Sequence, residues 1–404
     1  MDAKSIGKII AALRKKKGFT QLELAKKLSV SDKAVSKWEN GQGYPDITVL
    51  PSLAASFGVS IDYLMLGERK GITIAGNIIA DVVKNIDCFP EIGMLTNISE
   101  VSPAVGGCAP NTAINLTKID PQMRVSVMGR VGNDENGRFI LSKLRASGVD
   151  VENVKFSESS STSFCDVMNL PTGERTFFHK KGANAEFSPA DINIQELDCD
   201  ILHIGYILLL DRFDEEDLEF GTVMARFLKS VQERGIKTSI DVVSSSDDLY
   251  AEKIIPALKY TNFAIMNEIE CCKIWDLKPY KEDGHLDEEI IKTAMFKMKD
   301  CGVKEKIIIH SKTKSFILDV TTEEFSAMPS LKIPKEEILG SVGAGDAFCS
   351  GCLYGLYNGF SDKQILEFAS AAAACNLFAA NSVDGMKHKN EIEKMEEQYG
   401  RLEE

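Results

Sequence analysis

The sequence predicts an all-α unit at the N-terminus followed by a larger α/β domain with a largely parallel sheet. Three observations predict this. Within residues 1–70 apolar residues recur at helical spacing, as in Ile6, Ile9, Ile10 and Leu13. Beyond residue 70, short apolar runs alternate with helix-length amphipathic stretches, the pattern of parallel α/β proteins. Charge divides the chain at the same point. All 404 residues together carry a net charge of -13, which by itself speaks against a nucleic-acid binder. Residues 1–70 hold 12 Lys or Arg against 7 Asp or Glu, or +5, and the remainder carries -18. A small basic piece is joined to a large acidic one.

The helices of the basic piece follow from local signals. Gly18 ends the first, and Thr20 with Glu23 reads as a capping box opening a second that carries Leu24, Ala25 and Leu28. Ser31 caps a third with Ala34, Val35 and Trp38; the spacing puts Trp38 on the apolar face. Gly41 and Gly43 break it, and Pro45 with Val49, Leu50, Leu53, Ala54 and Phe57 marks a fourth. A short linker, Leu66–Lys70, leads into the second part. There the expected strands are 72–75, 124–129, 164–168, 175–179, 200–204, 237–241, 262–265, 305–310 and 315–319. The expected helices are 137–147, 215–234, 250–259, 287–300, 345–358 and 362–380. The pair around Pro171–Gly173 reads as a hairpin.

No apolar run reaches the ~18 residues of a membrane span. The N-terminus has no apolar stretch with a cleavage site, and ten scattered cysteines suit reduced cytosolic thiols. A cytoplasmic protein with no membrane partner is expected. Cys349 and Cys352 form a lone CxxC on a buried-type helix, a poor setting for a redox pair.

The segment FTQLELAKKLSVSDKAVSKWENG, with the later VSIDYL, resembles the Cro/C1-type (XRE) helix-turn-helix family. The resemblance covers about residues 6–66, within a domain of residues 1–67. It implies a double-stranded DNA operator as partner, read by Gln21, Ser31, Asp32, Lys33, Ser36, Lys37 and Asn40. Lys15, Lys16, Lys17, Lys26 and Lys27 would supply charge toward phosphates. Such proteins commonly read palindromes as dimers, so a homodimer is expected. A basic helical module that binds protein is the alternative.

In the acidic part, Gly340-Ser-Val-Gly-Ala-Gly-Asp-Ala-Phe348 stands out. Gly343, Ala344 and Gly345 open a helix, where backbone N–H groups can face an anion. Asp346 falls in the first turn; a carboxylate there repels phosphate and suits acceptance of a hydroxyl proton. No GxxxxGK[ST] Walker loop occurs. Gly106 and Gly107 precede Asn111 at a loop-to-helix junction where backbone can approach a polyol. AGNIIAD ends a strand with Asp81, an acceptor for sugar hydroxyls. Asn267-Glu-Ile-Glu270 ends another with a metal-compatible carboxylate.

The order of these motifs, with GERTFFHKKGANA between the second and third, resembles the PfkB/ribokinase family of sugar and nucleoside kinases over about residues 71–395. The resemblance implies a ribokinase-like α/β domain with a small β lid from strands near 90–105 and 164–180. It implies ATP and Mg²⁺ as cofactors. Asp346 would be the catalytic base and Gly343, Ala344 and Gly345 the anion hole. Asp81, Gly106, Gly107, Asn111, Glu174 and Asn184 would bind the sugar. Asn267 and Glu270 would act near the phosphates, with Glu270 toward the metal, and Ser370 near the adenine. Gly340 stands where ribokinase-like members often carry an Asp that helps hold a monovalent cation, so that ion stays open. His310-Ser311-Lys312 replaces the common Thr-Leu-Gly. The function implied is an ATP-dependent sugar kinase fused to a DNA-binding domain in sugar-linked transcription regulation. The alternative is a regulator whose kinase-like domain only senses a sugar.

Overall fold

The computed structural model describes residues 2–59, 61–66, 69–171, 174–244 and 249–403. It forms two compact units, Met1–Lys70 and Gly71–Glu404. The linker residues Gly67 and Glu68 and the hairpin residues Thr172 and Gly173 lie outside the described residues.

The first unit holds α1 (Ala3–Lys16), α2 (Gln21–Leu28), α3 (Asp32–Glu39), α4 (Leu50–Phe57) and α5 (Ile61–Leu66). The Thr20–Glu23 capping box forms, and Ser31 caps α3 by accepting from the Ala34 N–H. Apolar faces of all five helices close one core around Ile10, Leu24, Val35, Leu53 and Leu64, with Trp38 buried among them.

The second unit begins with β1 (Ile72–Gly76), β2 (Ile79–Ile86), β3 (Ile98–Gly106), α6 (Cys108–Ile119), β4 (Val125–Gly132), α7 (Glu135–Ala146), β5 (Val154–Ser157), β6 (Ser163–Asn169) and β7 (Arg175–Lys180). Next come β8 (Ile201–Ile207), β9 (Glu216–Asp217), β10 (Gly221–Thr222), α8 (Val223–Glu233), β11 (Lys237–Val242), α9 (Tyr250–Leu258), β12 (Phe263–Asn267), α10 (Glu268–Lys273) and α11 (Glu288–Asp300). The chain closes with β13 (Lys306–His310), β14 (Lys314–Asp319), β15 (Phe325–Pro329), α12 (Ala344–Asn358), α13 (Asp362–Asn376), α14 (Lys389–Ile392) and α15 (Met395–Tyr399).

A nine-stranded sheet runs β15-β14-β13-β12-β11-β8-β1-β4-β5. It is parallel from β13 to β5, and β14 and β15 return antiparallel. Both faces are covered, so its central strands are buried nearly throughout, as a parallel sheet requires. A separate four-stranded sheet runs β3-β2-β6-β7.

Four expectations need correction. Asp81 does not end the first strand: β1 stops at Gly76, and Asp81 is the third residue of β2. The helix expected over 215–234 starts only at Val223, because Gly221 takes φ +83 and Thr222 caps the helix through the Ala225 N–H. The residues before it form the small β9–β10 ribbon. The helix expected to reach 380 ends at Asn376. The small sheet expected from strands near 90–105 and 164–180 also takes in β2.

Candidate active site

The site forms where strand ends of the large sheet meet the start of α12. Gly343 is the N-cap of α12 at φ +78, and a Cβ there would collide with Ser382. Only glycine lets the loop turn so tightly into the helix. That turn aims the first N–H groups of α12, its partially positive end, into the site.

Asp346 lies in the first turn and is buried. Its Oδ2 accepts from Asn111 Nδ2 at 2.9 Å and its Oδ1 from the Tyr206 hydroxyl at 3.2 Å. Burial raises its carboxyl pKa, while these two donors lower it. Asn111 is fixed in turn, its Oδ1 accepting from Ser382 Oγ at 3.1 Å. Tyr206 takes a left-handed backbone, φ +61, and its N–H donates to Asp241 Oδ1 at 2.7 Å.

Asp346 lines a cavity of about 130 Å³ with Tyr206, Asp241, Asn267, Glu270, His310 and Gly345. Asn267 and Glu270 are the two ends of a capping box. Asn267 Oδ1 accepts from the Glu270 N–H at 2.8 Å, and Glu270 Oε2 from the Asn267 N–H at 2.9 Å. Glu270 Oε1 accepts from Ser244 Oγ at 2.9 Å. Burial pushes the Glu270 carboxyl up to about 7, against the pull of those hydrogen bonds. His310 packs its ring against Phe348 at 4.8 Å between centroids, and burial lowers its pKa to about 4, so it is neutral.

Asp81 stands on β2 opposite Ala104 of β3. Gly106 passes so close that a Cβ there would overlap the Asp81 carboxylate. Burial, then the charge of Asp346, raises the Asp81 pKa to about 6. Gly107 caps α6, one turn before Asn111. Asn184 is buried, its Oδ1 accepting from the Ile78 N–H at 3.1 Å between β1 and β2.

Of the residues named from the sequence, Asn267, Glu270, Gly345 and Asp346 line the cavity, and among those that do not are Glu174 and Ser370. Glu174 is exposed just before β7, its carbonyl accepting from the Leu170 N–H. The Ser370 hydroxyl donates to the Leu366 carbonyl of its own helix at 2.7 Å and accepts from Arg401 at 3.2 Å. Sequence reasoning missed Tyr206, Asp241 and Ser382. Asp241 alone left a signal, a carboxylate between Ile240 and Val242 near the end of a strand.

On the helical unit, Ser31, Asp32, Lys33, Lys37 and Asn40 are exposed along α3 and its end, and Ser36 is partly exposed. Asn40 donates to the Ser36 carbonyl at 2.9 Å and to its hydroxyl at 3.3 Å. Gln21 spends its amide donor on Glu39 at 2.8 Å, where Arg14 also binds.

A family model described as pfkB family carbohydrate kinase matches residues 71–389, and a helix-turn-helix model matches residues 10–64. The chain belongs to the pfkB family of carbohydrate kinases. Among curated relatives, 5-dehydro-2-deoxygluconokinase of Geobacillus kaustophilus is 24% identical over 312 residues, 73% of this chain and 85% of that protein. Ribokinase of Arabidopsis thaliana is 22% identical over 326 residues, 80% of each chain. Among solved structures, Arabidopsis thaliana ribokinase complexed with ribose and ATP superposes with a TM-score of 0.67 at 20% identity, covering 81% of this chain and 99% of that one. A putative ribokinase II from E. coli in complex with ATP and Mg²⁺ gives 0.65 at 18% identity, with the same coverage. The fold of this pfkB-family chain is thus ribokinase-like, with a helix-turn-helix unit ahead of it.

Proposed function

We propose that the larger unit transfers the γ-phosphoryl group of ATP to a sugar hydroxyl, and that the smaller unit docks on a double-stranded DNA operator, linking sugar phosphorylation to transcription. The observation that carries the kinase reading is Asp346, buried at the N-terminus of α12 and held by Asn111 and Tyr206. Asp346 takes the proton as the sugar oxygen bonds to phosphorus and the bond to the departing ADP oxygen breaks. The N–H groups of Gly343, Ala344 and Gly345 face the charge that develops on the transferring group. Asp81, Asn111 and the backbone at Gly106 and Gly107 orient the sugar, with Asn184 supporting the same end of β1 and Glu174 at the lid edge. The lid strands exclude water, the competing acceptor.

Glu270 and Asn267 present hard oxygens to the cavity, the donor type a divalent cation such as Mg²⁺ takes. Glu270 would hold the ion, whose chemistry is to neutralise phosphate-oxygen charge. Ser370 enters the nucleotide reading through the family resemblance only. Gly340 leaves the monovalent cation open.

Other parts of the reading have their own support. All ten cysteines are unpaired, which suits a reducing, cytoplasmic setting. Among the described residues no helix is long and apolar enough to cross a membrane. Ile92, Met94, Leu95 and Val101 expose apolar side chains, in keeping with a homodimer.

Purified protein with ATP, Mg²⁺ and a panel of sugars tests the kinase reading: turnover on one class is expected, with loss in Asp346→Asn. A second reading, a sugar sensor without turnover, draws on Gly340 and on His310-Ser311-Lys312. Sugar-dependent operator binding that persists in Asp346→Asn, with no wild-type turnover, would establish it instead.

A further inference from the structure

The chemistry above leaves unused a buried group of unlike donors beside Asp346. His203 lies on β8, Asp241 near the end of β11 and Cys349 on α12. All three are buried, and one ligand atom from each falls within 4.8 Å of the others. His203 Nε2 stands 3.8 Å from Asp241 Oδ2 and 3.7 Å from Cys349 Sγ.

The two spacings from His203 are close to what one small ion needs, and Asp241 and Cys349, within 4.8 Å of each other, would draw in to meet it. Tetrahedral zinc takes nitrogen and oxygen at about 2.0–2.2 Å and sulfur at about 2.3 Å, which puts ligand atoms roughly 3.3–3.6 Å apart. The outer partners are already built. His203 Nδ1 is 3.0 Å from Ser239 Oγ, which sets the ring and leaves Nε2 to the cluster. The other oxygen of Asp241 accepts from the Tyr206 N–H, which fixes that carboxylate. Asp241 and Cys349 both line the cavity that holds Asp346, so ions have an entry path and an open fourth position.

We propose that His203, Asp241 and Cys349 form a binding site for a divalent transition ion of the zinc class, separate from the Glu270 position and open to the active-site cavity. Charge selects the valence. A neutral imidazole, a carboxylate and a thiolate carry two negative charges, which a divalent ion cancels, and burial favours the neutral sum. Ligand softness selects the metal, because imidazole and thiolate suit zinc or cobalt and suit magnesium poorly. Binding replaces the Cys349 S–H bond with a sulfur–metal bond and releases the proton to solvent.

The site requires no kinase activity, so its test can fail independently of the proposed reaction. The full-length protein is stripped with chelator and titrated with Co²⁺ in excess Mg²⁺. One equivalent is expected to bind, with a thiolate-to-cobalt charge-transfer absorption. Cys349→Ser should lose that absorption, and His203→Gln should weaken binding at least tenfold; Glu270→Gln should keep both. Should the variants fold poorly, X-ray absorption on the Zn²⁺-loaded wild type decides: one sulfur at about 2.3 Å is expected beside nitrogen and oxygen. A zinc shell of nitrogen and oxygen only, or a charge-transfer band that survives in Cys349→Ser, overturns the assignment.

Discussion

The Tyr206 hydroxyl donates to Asp346 Oδ1 at 3.2 Å, while Asn111 donates to Oδ2 at 2.9 Å. Both donors favour the ionised carboxylate, and burial opposes them. In its proposed role as base Asp346 must be ionised to accept a proton, so in that role each donor sets how far turnover extends into acid. A hydrogen bond to a charged group contributes roughly 1.5–3 kcal/mol, about one or two pKa units. Tyr206→Phe removes one donor and raises the Asp346 pKa. The acid limb of the kcat/KM profile should move up by about one pH unit, with the alkaline rate kept within about tenfold. Asp346→Asn should lose about 10²–10⁴-fold at every pH. An unmoved acid limb in Tyr206→Phe would show that Tyr206 does not tune the base.

Asp81 gives a second pH dependence, seen in substrate affinity. Burial and the neighbouring Asp346 raise its pKa to about 6. In its proposed sugar-binding role the ionised carboxylate accepts hydrogen bonds from sugar hydroxyls; protonated, it loses much of that capacity. Sugar affinity should therefore rise between about pH 5 and 7 and then level off. Asp81→Asn should bind more weakly and show a flat profile. Calorimetric titration with the preferred sugar, without nucleotide, measures this apart from catalysis.

Gly343 and Gly359 cap the two ends of α12, both with left-handed backbone. A Cβ at Gly343 collides with Ser382, whereas at Gly359 it meets open space. Left-handed backbone costs a residue with a Cβ roughly 1–2 kcal/mol at either end. Both alanine variants should lose stability, and only Gly343→Ala should also lose kcat, by at least about tenfold. Equal turnover in the two would remove the anion-hole role from the loop.

Much of this was legible because it was written in short linear motifs. The glycine loop before α12, Asn111 behind Gly106 and Gly107, and the capping-box pair Asn267–Glu270 each announce themselves within a few residues. Their convergence is not local: Asn111 and Asp346 are 235 positions apart. Tyr206 and Asp241 escaped notice because each is an isolated polar residue near a strand end, outside any short motif, given meaning only by a neighbouring strand. β2 was missed because its central residues are only half-buried, so no clean alternation marks it. Residues 215–222 read as helix because acidic residues favour a helix start, yet Gly221 and Thr222 set the true boundary.

Asp214 supplies a stability prediction away from the site. Its Oδ2 accepts from the Leu210 N–H at 3.2 Å, and its Oδ1 is buried without a hydrogen-bond partner. Burial raises its pKa to about 6. A raised carboxyl pKa means that the folded state holds the proton more tightly than the unfolded chain. Its ionisation therefore takes stability away as pH rises from about 4 through 6, and the penalty is complete above that. About two pKa units correspond to roughly 3 kcal/mol. Asn keeps an oxygen for the Leu210 N–H and carries no charge. Asp214→Asn should be more stable than wild type at pH 8 and equal to it near pH 4. Urea unfolding at the two pH values checks this, and a gain of the same size at both would exclude titration as its source.

On the helical unit, Lys33 and Lys37 stand four residues apart on α3, exposed and on one helix face. Ser36 and Asn40 bond to each other, and the Gln21 amide is held by Glu39. The two lysines are therefore the charged groups of α3 most available to a duplex. Each phosphate contact contributes about 0.9 to the slope of log affinity against log salt. Lys33→Ala and Lys37→Ala should each lower that slope by about one, measured on a duplex selected from a random pool by the full-length protein. Gln21→Ala should act mainly on folding, because it strips a donor from the Glu39 that also holds Arg14. An unchanged salt slope in both lysine variants would place the DNA-contacting surface elsewhere on the unit.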